Sequence, residues 1–387
     1  MTFTSESKTN PCSLKDFFLY FLHLGTFGFG GPIALAGYMQ RDLVEKKRWI
    51  SKEDYVDGLA LAQLAPGPLA AQLAMYLGCV RAGVLGATLV SIAFILPSFL
   101  MVLVISAFYL RFGGLPWMEA VFYGIGAAVI VIIVRSAFKL VKLTLAKDKL
   151  LWTIFIVNAV VTGWSQTEIV WLFLLSGVAA LLVRFPPCFD NKTAAFAFLP
   201  SWSVQGLHGV AQGGLLWKVL IYFATAGSFV FGSGLAIVPF MHGGVVNQYQ
   251  WLTEKQFIDA VAVAMITPGP VVITVAFVGY LVAGPIGAAM AAIGVFLPTY
   301  LFVVIPAPFY KRHAKNLKIK AFVDGVTASA TGAIAGAAFV LGKRAIIDLP
   351  TVLIALVTFV ILFKTKKIPE PLVILLAGLA GLLLFHM

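Results

Sequence analysis

The sequence predicts an all-α polytopic membrane protein made of two homologous halves of inverted topology. Each half is expected to hold about five transmembrane helices and one broken, re-entrant helical hairpin. Three observations carry this. The 387 residues are 60% apolar and only 11% charged, with a mean hydropathy of +0.97, and apolar segments recur from Phe17 to Met387. The tripeptide Pro66-Gly67-Pro68 returns as Pro268-Gly269-Pro270, each time in the middle of an apolar stretch, 55–80 and 257–283. Finally, the second half repeats the first in constant register.

That register is long. Gly25-Thr-Phe-Gly-Phe-Gly-Gly-Pro-Ile-Ala lies over Gly227-Ser-Phe-Val-Phe-Gly-Ser-Gly-Leu-Ala at a shift of 202, which also carries Trp49 onto Trp251 and Asp57 onto Asp259. After a single deletion the shift becomes 201, pairing Gly86 with Gly287, Pro97 with Pro298, Tyr109 with Tyr310 and Gly124 with Gly325. Chance does not hold a register over that length, and duplicated halves are the usual build of secondary transporters. The expected domains are 1–190, a connector at 191–216, and 217–387.

Taken in order, the first span is expected at Phe17–Met39, interrupted by Gly28-Phe29-Gly30-Gly31-Pro32, where helix propensity collapses. The preceding residues lack a cleavable signal pattern, so this segment is expected to be retained. A charged loop at 41–54 follows. The stretch 55–80 cannot be one straight helix, because proline lacks the amide proton and clashes with the preceding turn. It should divide into two arms of about eleven residues, each about 16 Å long, half a hydrocarbon core. Further spans are expected at 84–110, 117–134, 150–165 and 168–184, then the Pro- and Gly-containing connector.

Lysine and arginine counts decide between parallel and inverted halves. With each P-G-P stretch returning to its own side, the loops divide 22 basic residues to 6; with each crossing fully, they divide 15 to 13. The positive-inside rule prefers the first scheme, with 41–54 cytoplasmic and 241–250 outside. That scheme also places the N-terminus outside, with Lys8 and Lys15 against the rule.

Helix breaks at membrane depth persist only where their freed backbone groups face buried protein or water, which makes them binding-site candidates. After each P-G-P the second arm begins with free amides and the positive end of its dipole, an arrangement suited to an oxyanion. The candidate substrate-binding residues are Gly30, Gly31, Gln63, Pro66, Gly67, Pro68 and Gln72 in the first half. In the second they are Gly232, Ser233, Thr267, Pro268, Gly269, Pro270 and Thr274. Amides of Gly30, Gly31, Gly67, Gly232 and Gly269 are expected to supply the main contacts, against the plainer reading that these glycines allow close helix packing. Asp57 and Asp259 are the candidate coupling carboxylates; the plainer reading has them favouring the helix dipole. Glu119 and Asp324 start corresponding spans, but the shift of 201 pairs them with Lys320 and Tyr123. His23 reads as a packed histidine, Arg81, Lys139 and Lys142 as topology determinants, and Trp49 and Trp251 as interfacial anchors.

The run Phe27-Gly-Phe-Gly-Gly-Pro32, the run Trp49-Ile-Ser to Asp57-Gly-Leu-Ala-Leu-Ala-Gln-Leu-Ala-Pro-Gly-Pro68, and their copies ending in Thr267-Pro-Gly-Pro270 resemble the chromate ion transporter family, in its two-domain, long-chain branch. The resemblance covers nearly the whole chain. It implies export of chromate, with sulfate as the look-alike anion, from a bacterial cytoplasm across the inner membrane. The second copy departs from the first: Gly31-Pro32 becomes Ser233-Gly234, Gln63 becomes Met265 and Ala65 becomes Thr267, so the two half-sites are expected to differ.

Other classes fare worse. The net charge of +12 lies in short loops between apolar spans, which argues for topology rather than nucleic-acid binding. Three scattered cysteines and five dispersed histidines give no disulfide framework, metal site or redox pair, and no enzyme fingerprint occurs. No cofactor is expected. The expected partners are an oxyanion and the lipid bilayer, with a homodimer compatible with the sequence. A carrier for another small solute or a cation on the same scaffold remains the alternative.

Overall fold

The computed structural model describes residues 10–385, apart from Gly30 and residues 113–114, 146–147, 166–169, 187–213, 230–236, 309–315, 365–367 and 369. The connector therefore lies outside the described residues. Among those described there are helices and no strands. They are α1 (Leu14–Phe27), α2 (Gly31–Met39), α3 (Lys52–Leu64), α4 (Leu69–Phe112), α5 (Pro116–Thr144), α6 (Lys149–Ser165) and α7 (Val170–Arg184), then α8 (Leu215–Phe229), α9 (Ile237–Met241), α10 (Glu254–Ile266), α11 (Thr274–Val304), α12 (Leu317–Ala345), α13 (Leu349–Lys364) and α14 (Glu370–Leu384). Four segments, within α4, α5, α11 and α12, are long and apolar enough to cross a membrane, and five shorter apolar helices accompany them. The chain is a multi-pass membrane protein.

Local devices repeat at the sequence register. A π-helical segment follows α2 at Gln40–Lys46 and α9 at His242–Gln248. Each leads to a residue in the left-handed region, Arg48 (φ 54°) and Gln250 (φ 51°). Ser51 caps α3 by accepting from the Asp54 amide, and Thr253 caps α10 in a reciprocal pair with Gln256. Ala82-Gly83 and Ala283-Gly284 leave helical geometry inside α4 and α11. Eight residues along a straight helix span about 12 Å, yet a Cβ on Gly78 would lie 2.6 Å from the Gly86 carbonyl oxygen, so the chain folds back there. Gly279 and Gly287 meet in the same way.

Two expectations need correction. The apolar run 17–39 is not one span. The Asn10 amide donates to the Arg48 carbonyl (2.8 Å), Asn10 Nδ2 donates to the Lys47 carbonyl, Phe17 packs on Trp49, and Arg81 donates to the Cys12 carbonyl. The start of α1 thus lies on the face that holds residues 47–49 and 81, and the break after Phe27 turns the chain back. Tyr222 of α8 likewise packs against Tyr249 and Trp251. Trp49 and Trp251 are clamps within these folded-back segments. Second, α5 runs ten residues past the expected end of its span at 134, and there Arg135 pairs with Glu370 of α14 at 3.1 Å.

The halves interlock. α1 packs on α4 and α8 on α11, while α6 and α7 pack on α12 of the other half and α13 and α14 on α5. Lipid removes most of the hydrophobic drive for helix association, so these contacts depend on small residues that bring backbones together. Gly124 meets the Ala377 carbonyl, Gly325 the Ser176 carbonyl, and Gly332 the Phe155 carbonyl.

Candidate functional site

Each P-G-P forms a four-residue break: α3 ends at Leu64 and helix resumes at Leu69; α10 ends at Ile266 and a short 3-10 turn begins at Val271. The arms before and after the first break pack together, with Gly58 against the Tyr76 ring and Leu73. Gly67 (φ +139°) and Gly269 (φ +93°) occupy backbone regions costly for any residue with a Cβ. Gln72 is fully buried and ties the first break together, its Nε2 donating to the carbonyls of Pro66 (2.8 Å) and Ala65 (3.2 Å). Two acceptors on that side fix the amide orientation, and Oε1 is left buried without a hydrogen-bond partner. In the second half Thr274 takes the equivalent place and donates to the Val271 carbonyl (2.7 Å), so the two breaks differ chemically.

Both breaks reach the opposite half. The Gly269 amide donates to the Gly28 carbonyl (2.9 Å), which the end of α1 leaves without a helical partner. Ser98, after Pro97 of α4, lies against Gly269 and donates to the Gly25 carbonyl (3.3 Å). Its register mate Thr299, after Pro298 of α11, lies against Gly67. The break at 28–31 and the break at 268–270 are therefore one cluster built from both halves.

The expected residues divide accordingly. Pro68, Gly67, Gln72, Thr267, Pro268, Gly269, Pro270 and Thr274 are buried at the breaks, with Pro66 half-buried. The Gly269 amide, expected to be free for an anion, is engaged by Gly28. Thr267 and Thr274 direct their hydroxyl protons at the carbonyls of Val263 and Val271, which leaves them as acceptors rather than the expected donors. Gln63 is exposed on α3 rather than gathered at the break, and Gly31 (φ +75°) is half-buried. Gly30, Gly232 and Ser233 lie outside the described residues.

The two carboxylates sit differently. Asp259 is 3% exposed and accepts a 2.6 Å hydrogen bond from Tyr109 of α4. Asp57 is half-buried and lines an open cleft of about 460 Å³ with Lys52, Glu53 and Val56. The Tyr109 contact was missed in the sequence, although the pairing of Tyr109 with Tyr310 alongside Asp57 with Asp259 was its signal. Around the ends of the helices, Lys255 pairs with Glu119 (2.7 Å), and Glu254 pairs with Arg344 beside His242. At the opposite ends Arg184 binds both Asp148 and Asp324 at 2.6 Å. Its guanidinium holds the Asp148 carboxyl below the usual carboxylate range.

Buried, paired helix breaks inside a duplicated multi-pass bundle define a membrane transport protein. The chromate transporter family profile matches residues 15–181 and 217–382, and the chain belongs to that family. It is 58% identical over 375 residues to the chromate transport protein of Cupriavidus metallidurans, covering 96% of this chain and 94% of that protein. It is 55% identical to a probable chromate transport protein of Synechococcus elongatus (96% and 95% covered) and 34% identical to the chromate transport protein of Pseudomonas aeruginosa (99% and 95% covered). No solved structure matches the chain.

Proposed function

We propose that this protein is a secondary carrier that exports chromate across the bacterial cytoplasmic membrane, by alternating access between inverted halves. Family membership and the names of its relatives support the substrate. The single observation that carries the carrier reading is the Gly269 amide on the Gly28 carbonyl: breaks from the two halves meet in one buried cluster, where relative motion of the halves must remake the site. Folding back of α1 supports placing Lys8 and Lys15 on the side of 41–54; it leaves four crossings per half, so inverted halves require one further crossing between Arg184 and Lys218. By sequence position, Lys8, Lys15, five basic residues in 41–54, Arg81, five in 135–149, Arg184, five in 311–320 and three in 364–367 fall on one face, 22 in all. Arg111, Lys218, Lys255, Lys343 and Arg344 fall on the other, and Lys192 lies in the connector between. The richer face is cytoplasmic, and each P-G-P hairpin is re-entrant in this scheme.

The anion is held at the first break by the first-turn amides of Leu69, Ala70 and Ala71, which have no acceptor within the helix. The buried Oε1 of Gln72 favours an oxyanion that also brings a proton, because a bare dianion offers that acceptor nothing. Asp57 and Asp259 serve the coupling ion, one per half. The test is radiotracer chromate flux in proteoliposomes with an imposed membrane potential, with sulfate as competitor. Protein-dependent, potential-sensitive flux is the expected result; its absence from folded, oriented protein would remove chromate as substrate.

A further inference from the structure

The contact between Lys255 and Glu119 has a charge-reversed twin in the sequence. Lys255 opens α10 and Glu119 opens α5, and they pair at 2.7 Å. The shift of 202 places Glu53 at the position of Lys255, and the shift of 201 places Lys320 at that of Glu119. The register thus places opposite charges at both equivalent pairs of positions, with the signs exchanged. Glu53 and Lys320 are both exposed, and among the described residues neither has an ion-pair partner. The flanking faces follow the same division. α10 packs on α5 and α14, with Val261, Ala262 and Met265 buried. The equivalent face of α3 is open: Val56 is 52% exposed, Gln63 is exposed, and Leu59 and Ala60 are only half-buried.

Resting on the inverted-repeat reading above, we infer that Glu119–Lys255 and Glu53–Lys320 are reciprocal gate pairs, one at each end of the pathway, and that closing one opens the other. In the state described here the Lys255 end is closed. In the opposite state α3 takes on α12 and α7 the seat that α10 now holds on α5 and α14. Lys320 then meets Glu53, and Lys255 leaves Glu119. Half-exposed ion pairs are individually weak, because solvent screens them. Exchanging one for the other keeps the two states near balance, which a cycling carrier needs and a single strong lock would prevent.

Paired cysteines test this in membranes, in a background where Cys12, Cys79 and Cys188 are replaced. Glu119→Cys with Lys255→Cys, and separately Glu53→Cys with Lys320→Cys, are treated with a short bis-thiol reagent, and intramolecular linkage is read by mass spectrometry. Both pairs are expected to link, each linkage is expected to abolish flux, and cleaving the linker is expected to restore it. In the quadruple variant, forming one linkage is expected to suppress the other. Linkage of 119 to 255 without linkage of 53 to 320, in protein at normal membrane level, would overturn the proposal. Linkage is read without substrate, so a protein that forms both mutually exclusive linkages yet moves no chromate upholds the gates and removes only the substrate. An impermeant thiol label reaching single cysteines at 53 and 255 from the same side would overturn both the topology and the gates.

Discussion

Tyr109 and Asp259 face each other across the two halves, the phenol donating to a carboxylate that is almost wholly enclosed. A buried carboxylate stripped of its donor destabilises a protein by roughly 1–3 kcal/mol. Tyr109→Phe is therefore expected to lower the thermal midpoint of the purified protein by several degrees, while Asp259→Asn, which can still accept from the phenol, is expected to keep it. If Asp259 serves coupling, Asp259→Asn should transport chromate without responding to an imposed pH gradient. A variant that still follows the gradient would leave Asp259 a purely structural partner of Tyr109.

Gln72 closes the first break with two hydrogen bonds from one nitrogen. Replacing it with methionine, similar in length but unable to donate, strands the Ala65 and Pro66 carbonyls at a cost of about 1–3 kcal/mol. The expected outcome is loss of chromate flux together with a lower thermal midpoint. Gln72→Glu offers a charge in a fully buried place and is expected to fail more severely. Flux measured per unit of folded protein separates the site effect from the stability effect; unchanged flux in Gln72→Met would remove Gln72 from the pathway.

Gly67 and Gly269 invite a steric test. A Cβ at Gly67 would lie 2.7 Å from Gln72 Nε2 and 2.8 Å from the Thr299 methyl, and at Gly269 it would collide with Ser98 Oγ. Added to the positive φ, each Gly→Ala change is expected to cost on the order of 1–3 kcal/mol. Ser98→Ala should partly rescue Gly269→Ala, because it removes the colliding atom. Absence of any rescue would mean that backbone geometry alone demands glycine there.

Much of this was legible in the residues, for identifiable reasons. The duplication shows in sequence because both copies must solve the same backbone problem: Gly67 and Gly269 need left-handed geometry, and Pro97 and Pro298 precede the hydroxyls that meet them. The folding back of α1 was not legible. A 23-residue apolar stretch has the same hydropathy whether it crosses once or returns as two short arms, and only the run Gly28-Phe-Gly-Gly-Pro32 hinted at the difference. The extension of α5 was hidden because Lys139 and Lys142 signal a loop by charge while favouring helix by propensity. The exchange of α6 and α7 onto α12 has no periodic signature at all. At the site, sequence could name Gly269 but not which neighbour its amide would reach.

His242 supplies a prediction on pH. It lies in the segment after α9, nearly enclosed, with its Nε2 3.0 Å from an Arg344 nitrogen and 2.9 Å from a Glu254 oxygen. Arg344 already pairs with Glu254, so that carboxylate is not free to stabilise an imidazolium. Burial first, and the Arg344 guanidinium second, push the His242 pKa down from its ordinary 6.5 to about 4. The neutral ring is thus the form the fold accepts. The stability it contributes is fully present above about pH 6.5, declines as pH falls toward 4, and changes no further below that. The total at stake is on the order of 3 kcal/mol. Thermal midpoints measured from pH 7.5 to 4.5 are expected to fall through this window in the native protein and to fall much less in His242→Gln, which keeps a polar group without a titrating proton. Because Glu254 neighbours Lys255 at the start of α10, acidification is also expected to loosen the contact of Lys255 with Glu119. Linkage of cysteines at 119 and 255 should therefore weaken at pH 5 in the native background and persist in His242→Gln.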